Sequence, residues 1–348
     1  MINGFVQLGE LFRALGKEEP WNGFELGVTS DEYASLQDLI NRQFYLNGWY
    51  VKENVLQAIL ALGEQLTEEK MTMWLHNYAY ASHPKRVAII MAGNIPLVGF
   101  HDFLCVLLSG NTAVCKLSND DKTLLPAFAT VLYTYLPELQ ERIVFTTGKI
   151  GEVDAVIATG SDNTLKYFEQ YFGKYPHIFR KNRTSVAVIT GNESAANFHA
   201  LGYDIFSYFG LGCRNVSHLL LPRNFDLSRF FEGVIGHASV INHNKYGNNY
   251  DYNKAIFLLN QHALFDNNFV LLRESEDLFS PLAMVHYHFY DNQEDISSYL
   301  QINADKIQVV VGDSYVPFGA AQCPMLSDYA DGIDTMAFLN QLTLIENH

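Results

Sequence analysis

The chain is expected to fold as an α/β protein, with two doubly wound α/β domains behind an N-terminal helical cap. Three observations carry this expectation. Apolar residues recur at three- and four-residue spacing in the N-terminal part of the chain, and from Arg86 onward short apolar runs alternate with helical stretches. A second alternation of the same kind starts at Ser185. A length of 348 residues suits two domains, and a composition 48% hydrophobic and 14% aromatic supplies enough apolar surface for packed cores.

The cap is read from three amphipathic stretches, Phe5 to Leu15, Asp31 to Phe44 and Glu53 to Leu66. The first α/β rhythm then runs VAIIMAG, FHDFLCVLL, TAVCKL, KTLLPAFATVLYTYL and RIVFTT, with a further strand at Ala155 to Thr159 leading through Gly160-Ser161-Asp162 into a helix that reaches Tyr171. The second unit opens with the strand SVAVIT from Ser185. A helix follows to Gly210, then the strand VSHLLLP and another helix. Strand candidates at Asn268 to Leu272, Ala283 to Tyr287 and IQVVVG complete it. The expected division is 1–184 for the helices and a dinucleotide-binding domain, 185–315 for a catalytic domain, and 316–348 for a C-terminal segment packing back between them. The Tyr- and Asn-rich segment Asn242 to Asn253 reads either as the lining of a cleft or as a polar loop before a helix.

With 23 basic against 38 acidic residues the net charge is −15, which argues against a nucleic-acid partner. Four widely spaced cysteines without a C-x-x-C pair suit a reducing compartment and give no zinc signature. The opening MINGFVQLGELFRALGKEEP has no basic stretch followed by an apolar core and cleavage site, so no signal peptide and a cytoplasmic location are expected. Val87 to Cys115 carries one acidic residue, Asp102, and is long enough for a membrane span. Gly93-Asn94-Ile95-Pro96 and Gly110-Asn111-Thr112 divide it into pieces too short to cross, so it reads as strand, helix and strand.

Two segments stand out chemically. In GLGCRNVS, Gly210 to Ser217, Cys213 follows glycines that let another backbone approach and precedes a strand, as an exposed thiol nucleophile would. A cysteine taken alone is more often a small buried apolar residue. In AGNIPLVGF, Asn94 sits between a buried strand and a helix, where its amide can donate to an oxyanion or simply serve a turn or a cap. His286 and His288 alternate on a strand and share a face, with no third residue at metal-ligand spacing, so no metal is expected. His237, in GVIGHAS, reads as a proton relay or as an ordinary hydrogen-bonded histidine.

The run AGNIPLVGFHDFLCVLLSGNTAVCKLSNDDKTLLP, the later ATGSDNTLKYF, GLGCRNVS and EDLFSPLAMVHYHFYD resemble, in that order, four landmarks of the aldehyde dehydrogenase superfamily. The ending VPFGAAQCPMLSDYADGIDTMAFL and the compact length bring the chain nearest to acyl-CoA reductases of the luciferase-operon fatty acid reductase type. The resemblance implies an aldehyde dehydrogenase-like fold. It also implies that Cys213 is the acyl-accepting nucleophile, with Asn94 and the Cys213 backbone N–H as the oxyanion hole. Lys116, with Ser118 and Asn119, would hold the adenosine ribose or its phosphate; Gly160 and Ser161 would lie by the pyrophosphate, and Asp277 by the nicotinamide ribose. A second glycine expected in the Gly160 loop is missing.

Aldehyde-oxidising members carry a glutamate base where HIFRKNRTSVAVI stands here, and Phe179 or Arg180 occupies its place. That favours acyl transfer from a thioester over release of a free acid. Asn119 stands where relatives preferring NAD often have a carboxylate, so NADPH is permitted, although Asp120 and Asp121 follow; NAD is the other candidate. The implied reaction is reduction of an acyl-CoA, of fatty type, to an aldehyde. Acyl-transferring or acyl-activating partner enzymes are implied by the same resemblance, and the swapped strands that join aldehyde dehydrogenase subunits are not evident, which leaves a homodimer by another surface open. The alternatives are a reductase of acyl phosphates and a catalytically silent binding protein that kept the fold.

Overall fold

The computed structural model describes residues 1–160 and 162–342. The chain forms two compact units: residues up to Lys181 together with the stretch from Met325, and Asn182–Pro324.

The first unit opens with four helices, α1 (Ile2–Gly16), α2 (Ser30–Leu46), α3 (Lys52–Gln65) and α4 (Glu68–Leu75). The first three are the amphipathic stretches of the sequence. The short α4 follows Thr67, whose hydroxyl accepts from the Lys70 N–H and so caps it. A reciprocal box between Thr29 and Glu32 starts α2. From Arg86 the rhythm becomes β1 (Arg86–Ile90), α5 (Phe100–Leu108), β2 (Thr112–Lys116), α6 (Leu124–Tyr135), β3 (Ile143–Thr146), β4 (Ala155–Thr159), α7 (Asp162–Phe172) and β5 (His177–Arg180). The sheet is parallel throughout, in the order β3-β2-β1-β4-β5. Phe12 of α1 packs against Phe100 of α5 and Phe128 of α6, which seats the helical cap on the core beside the sheet. Strand β5 had no counterpart in the sequence reading: it is short, lies at the sheet edge and alternates in burial, so it lacks the continuous apolar run of a central parallel strand.

The stretch from Met325 belongs to this unit and is tied in by specific bonds. The Trp74 indole donates to the Tyr329 hydroxyl at 2.8 Å, the Lys181 N–H to Asp331 at 3.2 Å, and Arg180 to the Thr335 hydroxyl at 2.8 Å. A C-terminal helix spans Thr335–Leu342.

The second unit contains β6 (Thr184–Val188), α8 (Ala195–Phe206), β7 (Val216–Pro222), α9 (Leu227–Val234), α10 (Asn244–Leu259), β8 (Phe265–Asp266), β9 (Leu271–Glu274), β10 (Met284–Tyr290), α11 (Gln293–Ile302) and β11 (Ile307–Val311). Its sheet has the order β11-β6-β7-β10-β9-β8, with only β8 antiparallel to its neighbour. The Tyr- and Asn-rich segment is not a loop for most of its length, because helix α10 begins at Asn244. Tyr246, Tyr250 and Asn253 fall on one buried helical face, where the Tyr246 hydroxyl donates to the Phe269 carbonyl at 3.0 Å and the Asn253 amide to the Leu282 carbonyl at 2.8 Å. Among the described residues no helix is long and apolar enough to cross a membrane.

Candidate active site

In the first unit, Asn94, Lys116, Ser118, Asn119 and Gly160 all follow or end parallel strands. Lys116 is the last residue of β2 and pairs in register with Ile90 of β1, and Gly160 follows β4 directly. The sheet therefore gathers these five at its carboxyl edge, where open α/β sheets bind ligands. Ser161 lies outside the described residues. Asn94 is exposed on the loop between β1 and α5. Both ends of that loop are held: the Tyr50 hydroxyl donates to the Gly93 carbonyl at 3.0 Å, and the Leu97 N–H donates to the Asp121 carboxylate at 2.9 Å.

The same edge fits a dinucleotide. The Lys116 ammonium donates to the Thr147 and Gly148 carbonyls at 3.3 and 2.8 Å, leaving one N–H of its three. Two glycines mark where neighbouring side chains close on the loop backbone: a Cβ on Gly93 would meet the Ser118 hydroxyl at 2.5 Å, and one on Gly160 would meet Thr164 and the Phe168 ring at 3.0 Å. Asn119 and Asp120 are exposed, whereas Asp121 is buried with its carboxylate engaged by Leu97. Of the two acids after Asn119, one is therefore turned away from this surface.

In the second unit, Cys213 is half-buried on the turn that precedes β7. Its carbonyl accepts from the Ser185 hydroxyl of β6 at 3.0 Å. The Gly212 N–H donates to the Asn215 side-chain oxygen at 2.8 Å, and the Asn215 amide nitrogen donates to the carbonyls of Asp204, Ile205 and Ser207 at 3.1, 3.2 and 2.9 Å. Asn215 thus fastens the turn to the otherwise unsatisfied end of α8. The Arg214 guanidinium donates to the Ala321 carbonyl at 2.6 Å, and the carboxylate of Asp204 accepts from the Gly319 and Ala321 N–H groups at 2.6 and 2.9 Å. Just upstream, Tyr208 and Phe209 are buried in the left-handed region, with φ of 52° and 58°. Such backbone persists only where its surroundings over-determine it.

Asp277 is exposed on the crossover from β9 to β10, which lies over the start of β7. The Ser217 hydroxyl donates to the Leu278 carbonyl at 3.0 Å, while His218 and His286 reach the Asp277 carbonyl through Nδ1 at 3.1 and 2.9 Å. A neutral imidazole facing a carbonyl must donate from that nitrogen. His218 therefore carries its proton on Nδ1, and its Nε2 accepts from His288 Nδ1 at 2.7 Å. Burial, and secondly His288, pushes the His218 pKa down to about 3, which keeps the pair neutral. The shared face expected for His286 and His288 is this one, and it supports a backbone carbonyl. Among the described residues no three His, Cys, Asp or Glu side chains converge on a metal position. His237 reaches the His199 carbonyl through Nε2 at 2.9 Å.

Arg180 ends β5 and is buried, donating to the carboxylate of Asp102 in α5 and to Thr335. Phe179 stacks on His177 with ring centroids 3.9 Å apart. Of the residues that shape these loops, Tyr50, Ser185 and Asn215 are not among the candidates that the sequence singles out, and Asp121 is among them only as a charge near the cofactor. Asn215 offered a usable signal, a carboxamide between a nucleophile candidate and a strand; Ser185 and Tyr50 offered none, because their partners come from distant elements.

A family model described as acyl-CoA reductase (LuxC) matches residues 50–223, which include Asn94, Lys116, Gly160 and Cys213. No curated protein matches the chain. Among solved structures, an aldehyde dehydrogenase of Mycobacterium tuberculosis complexed with NAD+ is 13% identical with a TM-score of 0.59, over 88% of this chain and 72% of that one. Lactaldehyde dehydrogenase of Escherichia coli is 11% identical with a TM-score of 0.59, over 89% and 72%. The NAD+ complex of an aldehyde dehydrogenase from Bacillus cereus is 12% identical with a TM-score of 0.58, over 88% and 71%. The fold is aldehyde dehydrogenase-like.

Proposed function

The chain belongs to the acyl-CoA reductase (LuxC) family, and from that premise we propose that it reduces a fatty acyl-CoA to the aldehyde with NADPH, through a thioester on Cys213. The Cys213 thiolate adds to the thioester carbonyl, and the developing oxyanion takes hydrogen bonds from the Asn94 amide and the Cys213 N–H. The carbon–sulfur bond to CoA then breaks. Because a thiol has a pKa of about 8.5, CoA leaves as a thiolate without a strong general acid. A nicotinamide cofactor, when bound, would supply a hydride equivalent, and the acyl carbon held on Cys213 would receive it. The resulting thiohemiacetal on Cys213 collapses, releasing aldehyde and restoring the thiolate.

Three groups of residues serve this sequence. Ser185 and Asn215 fix the turn that presents Cys213. Lys116, Ser118 and Asn119 receive the adenosine end; with Asp121 turned inward and Asn119 uncharged, a 2′-phosphate meets less repulsion than a carboxylate at that place would give. Gly160 and the start of α7 accept the pyrophosphate, and Asp277 the nicotinamide ribose.

The observation that carries the reading past family membership is the pairing of Arg180 with Asp102. Of the two residues expected where an aldehyde-oxidising relative keeps its water-activating glutamate, Phe179 stacks on His177 and Arg180 is a buried guanidinium paired with Asp102, so neither offers a carboxylate base. An acyl-Cys213 is thereby left to hydride rather than to activated water.

The test is NADPH consumption and aldehyde formation with acyl-CoA thioesters from short to long chains, native protein beside Cys213→Ala. Turnover by the native protein alone, best with long chains, is the expected result. Equal turnover by the variant would remove Cys213 from the mechanism, and native protein that binds NADPH but leaves every thioester intact would overturn the reaction itself.

A further inference from the structure

The loop after β2 and the loop after β1 share one buried carboxylate. Asp121 is 9% exposed, and its Oδ2 accepts the Leu97 N–H at 2.9 Å while its Oδ1 is buried with no hydrogen-bond partner. Leu97 sits in the left-handed region at φ 56°, which a non-glycine residue holds only when something holds it there. At the other end of the same loop, the single proton of the Tyr50 hydroxyl goes to the Gly93 carbonyl, although that hydroxyl also lies beside the Asp121 carboxylate. Ser118 closes against Gly93, and the Asp121 N–H reaches back to the Ser118 carbonyl at 3.4 Å.

We propose that Asp121 is a positioning residue for Asn94, latching the loop of the oxyanion donor to the loop that receives the adenosine end of the cofactor. The proposal rests on the roles given above to Asn94 and to Lys116, Ser118 and Asn119. A charged acceptor makes a hydrogen bond roughly twice as strong as a neutral one, so the latch is firm when Asp121 is ionised and slack when it is protonated. Burial outweighs the Leu97 N–H and Tyr50 and raises the Asp121 pKa to about 6. The titratable groups facing it are Tyr50, from the connection between α2 and α3, and Asp120, on its own loop. Burial and the two aspartates raise the Tyr50 phenol far above its ordinary value, so Tyr50 remains a donor throughout the range in which Asp121 titrates.

The full chain without cofactor is examined by hydrogen exchange of the segment 92–99, corrected for intrinsic rates, from pH 7.5 down to 5. Protection in the native protein is expected to fall as pH passes through about 6. Asp121→Asn is expected to lie at the low level at every pH, and Tyr50→Phe to lose protection without losing the pH dependence. With acyl-CoA and NADPH, Asp121→Asn should lose up to about 10²-fold in kcat, should keep KM for the thioester, and should lack the acid limb near pH 6. Native-like exchange and an unchanged pH profile in Asp121→Asn overturn the latch. If that variant does not fold, a native protein whose loop exchange is flat across pH 6, or a native-like Tyr50→Phe, does the same. Absence of thioester turnover in the native protein sinks the proposed reaction alone, because the exchange measurement still decides the latch.

Discussion

Arg180, the last residue of β5, donates to the carboxylate of Asp102 in the first turn of α5, and the two side chains are 4% and 8% exposed. The pair is buried within the first unit. It is a structural element here, and it makes the fold sensitive to any change that leaves one charge alone.

Arg180→Ala should therefore destabilise the chain by about 3–5 kcal/mol, since it strands a buried carboxylate. Replacing both partners with apolar residues of similar volume should cost far less, because no charge is left uncompensated. Urea denaturation of the single and double variants measures the difference.

Removing the Ser185 hydroxyl takes one hydrogen bond from the Cys213 carbonyl, worth about 1 kcal/mol in stability. Its larger effect is expected on the thiol. Ser185→Ala should change the alkylation rate of Cys213 by iodoacetamide and lower kcat, while the melting temperature shifts by only a few degrees. A variant that melts much earlier but alkylates and turns over as the native protein does would contradict this.

The histidine pair makes an acid-sensitive contribution. His218 is held neutral with its pKa lowered to about 3 against 6.5 in the unfolded chain, so the unfolded chain binds more protons between those values. The contribution is complete above pH 6.5 and is lost as pH falls toward 3. At pH 5 about 2 kcal/mol should have gone, by the linkage relation. Stability curves of the native protein and His218→Gln should converge by that amount between pH 7.5 and 5. Asp121 and Asp204, both raised to about 6 by burial, act in the opposite sense below pH 6, which is why the comparison is made by difference.

Asn119→Asp places a carboxylate on the exposed surface after Lys116. NADPH binding should weaken about tenfold, equivalent to 1.4 kcal/mol, with NADH little affected. Fluorescence titration of each nucleotide against both proteins reads the change, and equal weakening of the two would remove Asn119 from the 2′-phosphate contact.

The fold was legible wherever burial writes a continuous pattern. Strands β1, β2, β4 and β7 are apolar runs covered on both faces, and helices α1 to α3 show one apolar stripe each. Strand β5 was not legible, because an edge position relaxes that demand. Helix α10 was misread because its buried face carries tyrosines and asparagine whose polar ends are satisfied by backbone carbonyls, a pairing no periodicity reports. Asn94, Lys116 and Cys213 stood out through their motifs; in the fold Asn94 follows β1, Lys116 ends β2 and Cys213 precedes β7. Most of their supports did not stand out: Tyr50, Asp121 and Ser185 act through contacts between segments far apart in sequence, whereas Asn215, whose partners lie within eleven residues, is the one whose place beside Cys213 gave a signal.

The first unit is interrupted in sequence and the second is not. During synthesis the second unit has all of its residues once Pro324 has emerged, whereas the first still lacks the segment that supplies Tyr329 to Trp74, Asp331 to Lys181 and Thr335 to Arg180. The half of the molecule made first is therefore completed last. Until then its Arg180 side chain has Asp102 but not Thr335, and the region around Trp74 is uncovered. A nascent chain stalled between Pro324 and Leu342 would carry a whole second unit and an open first one, which makes this interval the natural place for chaperone capture or proteolytic attack.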